Sequence, residues 1–162
     1  MSDVVSDASP LIVLAKANFL HILPSLFSRV LVPRAVAGEI QAGPADDPLK
    51  LALPGCRWIV PVSLEPAISP LSIWQAGPGE AEVIEYARLH RNLPVLLDDR
   101  AARRAAEAVG LKVHGTVGLV AAATLLGRVE SFAKGIADLK SAGLYVSDSV
   151  VAAVEKGLRQ AS

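Results

Sequence analysis

The sequence predicts an α/β fold, a parallel sheet with helices on both faces, and three observations carry that prediction. Short apolar runs alternate with segments whose apolar residues recur every three or four positions. One run, Val95 to Leu97 after Pro94, is too short for a helix; it stops on Asp98-Asp99-Arg100, where an alanine-rich helical segment begins and continues to Gly110. The 162 residues, 52% of them hydrophobic, suffice for a single domain, 1–162, with a substantial core. Ligands of open α/β sheets bind at the carboxyl ends of strands, so Asp98 and Asp99 are candidates for chemistry. Capping competes with that role: Asp99 also fits an N-cap or a pair with Arg103, whereas a second acid is harder to explain this way.

Val4-Val5-Ser6-Asp7 reads as the first strand, ending at Asp7, and Ser9-Pro10 as an N-cap hydroxyl followed by proline at the first helical position. Helical spacing runs through Leu11, Leu14 and Ala15, breaks near Ala17-Asn18 and resumes from Phe19 to Phe27, giving two helices or one kinked at Pro24. Arg29 to Val32 is the second strand. Pro33 opens a helix containing Val36, Glu39 and Ile40, which Gly43 ends. Glu39 is either half exposed at the helix end or turned into a site. Gly43 to Pro78 holds seven of the eleven prolines and both tryptophans, and reads mostly as loop. Within it, Arg57 to Val62 is a third strand, placed at an edge by Pro61, and Leu64 to Gln75 fits a cover for the sheet or a lid over a site. Trp58 and Trp74 fit the core better than stacking on bases.

Gly77-Pro78-Gly79-Glu80 starts a helix in which Ala81, Ile84, Ala87 and Arg88 recur at helical spacing. Glu80 lies in line with Ile84 and Ala87 and points inward, while Glu82 and Glu85 project elsewhere. A carboxylate also suits a helix N-terminus, but Glu82 would serve there without being turned inward, which favours a site role for Glu80. Leu111 to Val113 is the last strand, and Thr116 or Gly115 begins a buried helix to Leu126. Phe132, Ile136 and Leu139 mark another helix ending near Gly143; Ser147-Asp148 caps a final one with Val150, Val151, Val154 and Leu158.

Composition narrows the function. Formal net charge is +0 and the pI is about 6.8, so any nucleic-acid contact comes from a local patch. The single Cys56 forms no intramolecular disulfide, the N-terminus lacks the order of a secretion signal, and the apolar stretch Val117 to Leu126 is too short to span a bilayer. A cytoplasmic protein without membrane contact is expected. There is no internal repeat, zinc-type Cys/His cluster, Walker loop or GxGxxG after a strand. What remains is a set of acids at corresponding places: Asp7, Glu39, Glu80 and Asp98-Asp99. Without histidine or cysteine at ligand spacing, their natural partners are hard cations, Mg²⁺ or Mn²⁺, which support phosphodiester hydrolysis.

Val4 through Ile12, Val32-Pro33 through Glu39-Ile40, Gly77 through Glu82, and Leu97-Asp98-Asp99 with Arg103 together resemble the PIN domain, nearest its VapC-like prokaryotic branch. The likeness covers about residues 3–126, and Gly143 to Ser147, within C-terminal helices at about 131–160, is also similar. It implies a three-layer α/β/α fold with a short parallel sheet of four to five strands and an Mg²⁺- or Mn²⁺-dependent ribonuclease. The implied catalytic acids are Asp7, Glu39, Glu80 and Asp99, and the implied metal ligands are Asp7, Glu80, Asp98 and Asp99. Many relatives have Asp where this chain has Glu80, a difference of one methylene that bears on metal geometry rather than fold. The implied partners are RNA, a small antitoxin protein and a second copy of the chain. Ser9, Arg100, Arg103 and Arg104 are the expected substrate contacts; positions 100, 103, 104 and 107 share a helical face that is either an RNA surface or a solvated one. A non-catalytic PIN-like module that binds RNA or protein is the alternative. A phosphotransfer or phosphatase reading ranks below both, because Asp7-Ala8-Ser9 lacks the second aspartate of a DxD motif and no lysine ends a late strand.

Overall fold

The computed structural model describes residues 1–64 and 77–161. Of the expected Leu64 to Gln75 cover only Leu64, which is buried, lies within them; the remainder, with Trp74, lies outside the described residues. Strands β1 (Val4–Ser6), β2 (Val30–Pro33), β3 (Ile59–Val62), β4 (Val95–Leu96) and β5 (Val113–His114) form a sheet ordered β3-β2-β1-β4-β5, with every pairing parallel. Parallel neighbours cannot be joined by a hairpin, so helical crossovers must cover the faces, and the strands read as unbroken apolar runs. Central β1 is buried along its whole length, with Val5 opposite Leu31 on one side and Val95 on the other. Pro61 sits on edge strand β3 opposite Val32, where a missing N–H is tolerated.

The helices are α1 (Ala8–Lys16), α2 (Leu23–Leu26), α3 (Arg34–Ala42), α4 (Pro48–Ala52), α5 (Pro78–Leu89), α6 (Arg100–Ala108), α7 (Thr116–Leu125), α8 (Phe132–Ser141) and α9 (Asp148–Ala161). Helix α5 lies against β1, β2 and β4 with α3 and α6 on its flanks; α1 packs with α3, α4 and α8, and α7 with α2, α8 and α9. This is the expected three-layer α/β/α arrangement. No single helix among the described residues is long and apolar enough to cross a membrane, and α1 and the Leu20–Leu26 segment bend by 115° relative to each other.

Three local expectations are corrected and one open alternative is decided. Asp7, not Ser9, occupies the N-cap position of α1, because β1 ends at Ser6; Pro10 then falls third in the helix, still within the first turn, where its absent N–H costs nothing. The Ala17-Asn18 break is a left-handed residue, Asn18 at φ 62°, and Pro24 lies in the first turn of α2 instead of kinking a longer helix. The proline-rich middle is less of a loop than its composition suggests: Asp47 accepts the Leu49 N–H at 2.9 Å, Pro48 takes the first helical position, and α4 with a following 3₁₀ turn results. Strand β5 begins at Val113 and not Leu111, because the Leu111 N–H is used by the Ala106 carbonyl to close α6.

Candidate functional site

The chain leaves β1 towards β2 and β4 towards β5, so the crevice between β1 and β4 is a topological switch point. Asp7 directly follows β1, and its N–H donates to the Leu96 carbonyl of β4 at 3.2 Å, which ties the two strand ends together. The Asp7 residue is only 4% exposed, and its Oδ1 has no hydrogen-bond partner among the described residues. Burial pushes its pKa from 3.8 to about 7; the Ala8 backbone opposes this, and the charges of Glu80, Glu39 and Asp98 reinforce it.

Glu39 on α3 has a raised pKa, through desolvation first and the Glu80 charge second, while hydrogen bonding with the Gly79 backbone works against the rise. Glu80, half-buried in the first turn of α5, therefore acts on both Asp7 and Glu39. The approach is close: a β-carbon on Gly79 would lie 2.5 Å from Glu39 Oε1 and 3.1 Å from Asp7 Oδ1, so the Glu39 carboxylate would have to shift to admit it. A second tie fixes the same two helices. Glu82 accepts the Ala35 N–H at 2.8 Å, capping α3 from α5, so the carboxylate read as projecting elsewhere is a cross-helix cap. Glu85 is also corrected, since it is buried and held by Arg88 at 2.5 Å and 3.1 Å, its helix being covered on both flanks.

The adjacent acids Asp98 and Asp99 part ways. Asp99 is exposed and caps α6, its Oδ1 accepting the Ala102 N–H at 2.8 Å. Asp98 is half-buried; its Oδ1 accepts the Thr116 N–H at 2.8 Å, its Oδ2 accepts the Thr116 hydroxyl, and its charge acts on Asp7. The structure thus gathers Asp7, Glu39, Glu80 and Asp98, and leaves Asp99 as a cap one residue away. Thr116 was expected only as a helix start. The signal for more was its place, two residues after the strand beside β4.

The arginines divide in the same manner. Arg103 is half-buried, its Nη1 donates to the Leu97 carbonyl at 3.0 Å, and its guanidinium fills the space that a side chain on Gly115 would need. Burial, then Lys112 and Arg103, lower the pKa of neighbouring His114. Arg100 and Arg104 are exposed and have no ion pair among the described residues. Ser9 is exposed on the first turn of α1, two residues from Asp7. Trp58 is half-buried and packs against the core.

Every donor gathered here is a carboxylate oxygen, a set suited to a hard divalent cation. An unpartnered buried oxygen on Asp7 among neighbouring acids fits that group, because a cation offsets both desolvation and repulsion. Among the described residues no three acids, histidines or cysteines already close on one point. The acids are neighbours without forming a finished cage.

Comparison with curated proteins returns no match. A family model described as the PIN domain matches residues 3–160, nearly the whole chain, and agrees with the parallel sheet flanked by helices; the chain belongs to the PIN-domain family.

Proposed function

We propose that this chain is an Mg²⁺- or Mn²⁺-dependent endoribonuclease whose acidic centre is Asp7, Glu39, Glu80 and Asp98, with Asp99 supporting it as the cap of α6. The family gives a nuclease-type fold that binds nucleic acid and typically uses divalent metals. The observation that carries the finer reading is Asp7: a buried carboxylate with one oxygen unpartnered and its pKa held near 7 by burial and three other acids. Such an arrangement costs the apo protein stability and is relieved by a bound cation. A divalent ion held by these acids supplies Lewis-acid charge at the phosphate and lowers the pKa of a water. The chain's own part is to fix the acids, through the Asp7–Leu96 bond, the Glu82 cap and the Thr116 grip on Asp98. Exposed Arg100 and Arg104 hold flanking phosphates. In the hydrolysis, water oxygen bonds to phosphorus and the 3′ oxygen leaves with a proton, giving 5′-phosphate ends.

This reading extends to a single domain over 1–162, a VapC-like toxin neutralised by a small antitoxin, a cytoplasmic location and a homodimer, all by family resemblance. Purified protein incubated with structured and single-stranded RNA, with Mn²⁺, Mg²⁺ or EDTA, tests the core of it. Cleavage is expected with either metal, none with EDTA, and none by Asp7→Asn with Asp98→Asn. RNA binding without cleavage in any metal would leave a binding module; cleavage by the double variant at the wild-type rate would point to a contaminant.

A further inference from the structure

We propose that Thr116 is a positioning residue that sets the Asp98 carboxylate for cation capture, an inference that rests on the metal-nuclease reading above. Asp98 stands just beyond a two-residue strand, and its sequence neighbour Asp99 is committed to capping α6. Among the described residues, the hydrogen bonds to its side chain come from Thr116 alone, 18 positions along the chain. The two bonds use different oxygens: the Thr116 N–H meets Oδ1 at 2.8 Å, and its hydroxyl meets Oδ2. One contact would leave the carboxylate free to pivot about it, whereas two fix both its position and the rotation of its plane. A carboxylate has about four acceptor sites, so two bonds leave capacity for a cation.

Thr116 is itself 0% exposed, and Gly115 before it leaves the space that the Arg103 guanidinium occupies. The hydroxyl donor is therefore enclosed by protein where it meets the carboxylate it orients. A ligand fixed in advance has less freedom to lose when a cation binds, and residues that orient metal ligands typically contribute about 10–100-fold in affinity. Simple capping explains the N–H bond, because Thr116 opens α7 and an acid suits a helix N-terminus. It does not require the hydroxyl. The two roles therefore separate on the side chain of residue 116.

Calorimetric Mn²⁺ titration of the metal-free full chain tests this, with melting of each apo variant recorded alongside. Thr116→Val is expected to bind Mn²⁺ about 10–100-fold more weakly than wild type. Thr116→Ser, which keeps the hydroxyl, is expected to bind close to wild type. Should the valine variant fail to fold, Thr116→Ala, which keeps the N–H bond and introduces no clash, carries the same expectation. Wild-type affinity in the folded Val or Ala variant would overturn the positioning role and leave Thr116 as a cap. Loss of affinity in Thr116→Ser equal to that in Thr116→Val would also overturn it, since the hydroxyl would then be irrelevant. No Mn²⁺ uptake by wild type would instead remove the metal-nuclease reading, and this inference with it.

Discussion

At the scale of single residues, Asp7 shows how burial turns a common side chain into a pH-dependent liability. Its folded pKa of about 7 lies above the unfolded value of 3.8, so the folded state binds a proton that the unfolded state releases between those limits. Apo stability from this group is therefore greatest at low pH and falls as pH rises through the interval. The raised pKa of Glu39 acts in the same direction. Between pH 5 and 8 the Asp7 contribution alone amounts to a loss of about 2–3 kcal/mol. Asp7→Asn removes it at nearly constant volume, so in EDTA the variant should lose less stability than wild type between pH 5 and 8, and match or exceed it at pH 8. Urea unfolding at the two pH values measures this; an equal decline in both proteins would mean that other groups set the pH dependence.

At the scale of elements, α6 combines three jobs that its arginine spacing makes look like one. Asp99 caps it, Arg103 turns back to the Leu97 carbonyl at the strand end, and Arg100 and Arg104 face solvent. Replacing Arg100 and Arg104 with Ala should weaken RNA binding and reduce the magnitude of its log–log salt slope by roughly 0.7 per lost phosphate contact, with little effect on stability. Arg103→Ala should behave differently, lowering stability by about 1 kcal/mol through loss of its hydrogen bond. Salt-dependent RNA titration with parallel melting separates the two classes. An unchanged slope in the double variant would make the arginine face merely solvated. Helices α3 and α5 show a comparable division: Glu82 caps the start of α3, while the charge of Glu80 acts on Asp7 and Glu39.

At the scale of the whole molecule, the acids come from four separate stretches of chain, so a cation binding to them binds the folded state and not the unfolded one. Saturating Mn²⁺, at a hundredfold excess over its dissociation constant, should raise the melting temperature by roughly 5–10 °C. Asp7→Asn and Asp98→Asn should each abolish most of that shift, while Asp99→Asn should keep it and lower apo stability slightly through a weaker cap. Scanning fluorimetry with and without Mn²⁺ provides the measurement. A full shift in Asp98→Asn with none in Asp99→Asn would return the ligand role to Asp99.

The sequence by itself determined the five strands and their order along the chain, the helices apart from α4, the parallel sheet and the candidate acids. Those properties are local: apolar spacing, proline and glycine punctuation, and the stop of a buried run on charged residues. Tertiary structure alone gave Asp98 and Asp99 different partners, Thr116 for the first and the start of α6 for the second, because adjacent residues at a strand end point in different directions. It also decided that Glu85 is buried, since α3 and α6 cover the flanks of α5 and widen its buried arc beyond the apolar stripe. Thr116 and Asp98 lie 18 residues apart and meet because β4 and β5 are neighbours. Spacing along a chain carries no record of such a meeting; pairing between strands creates it.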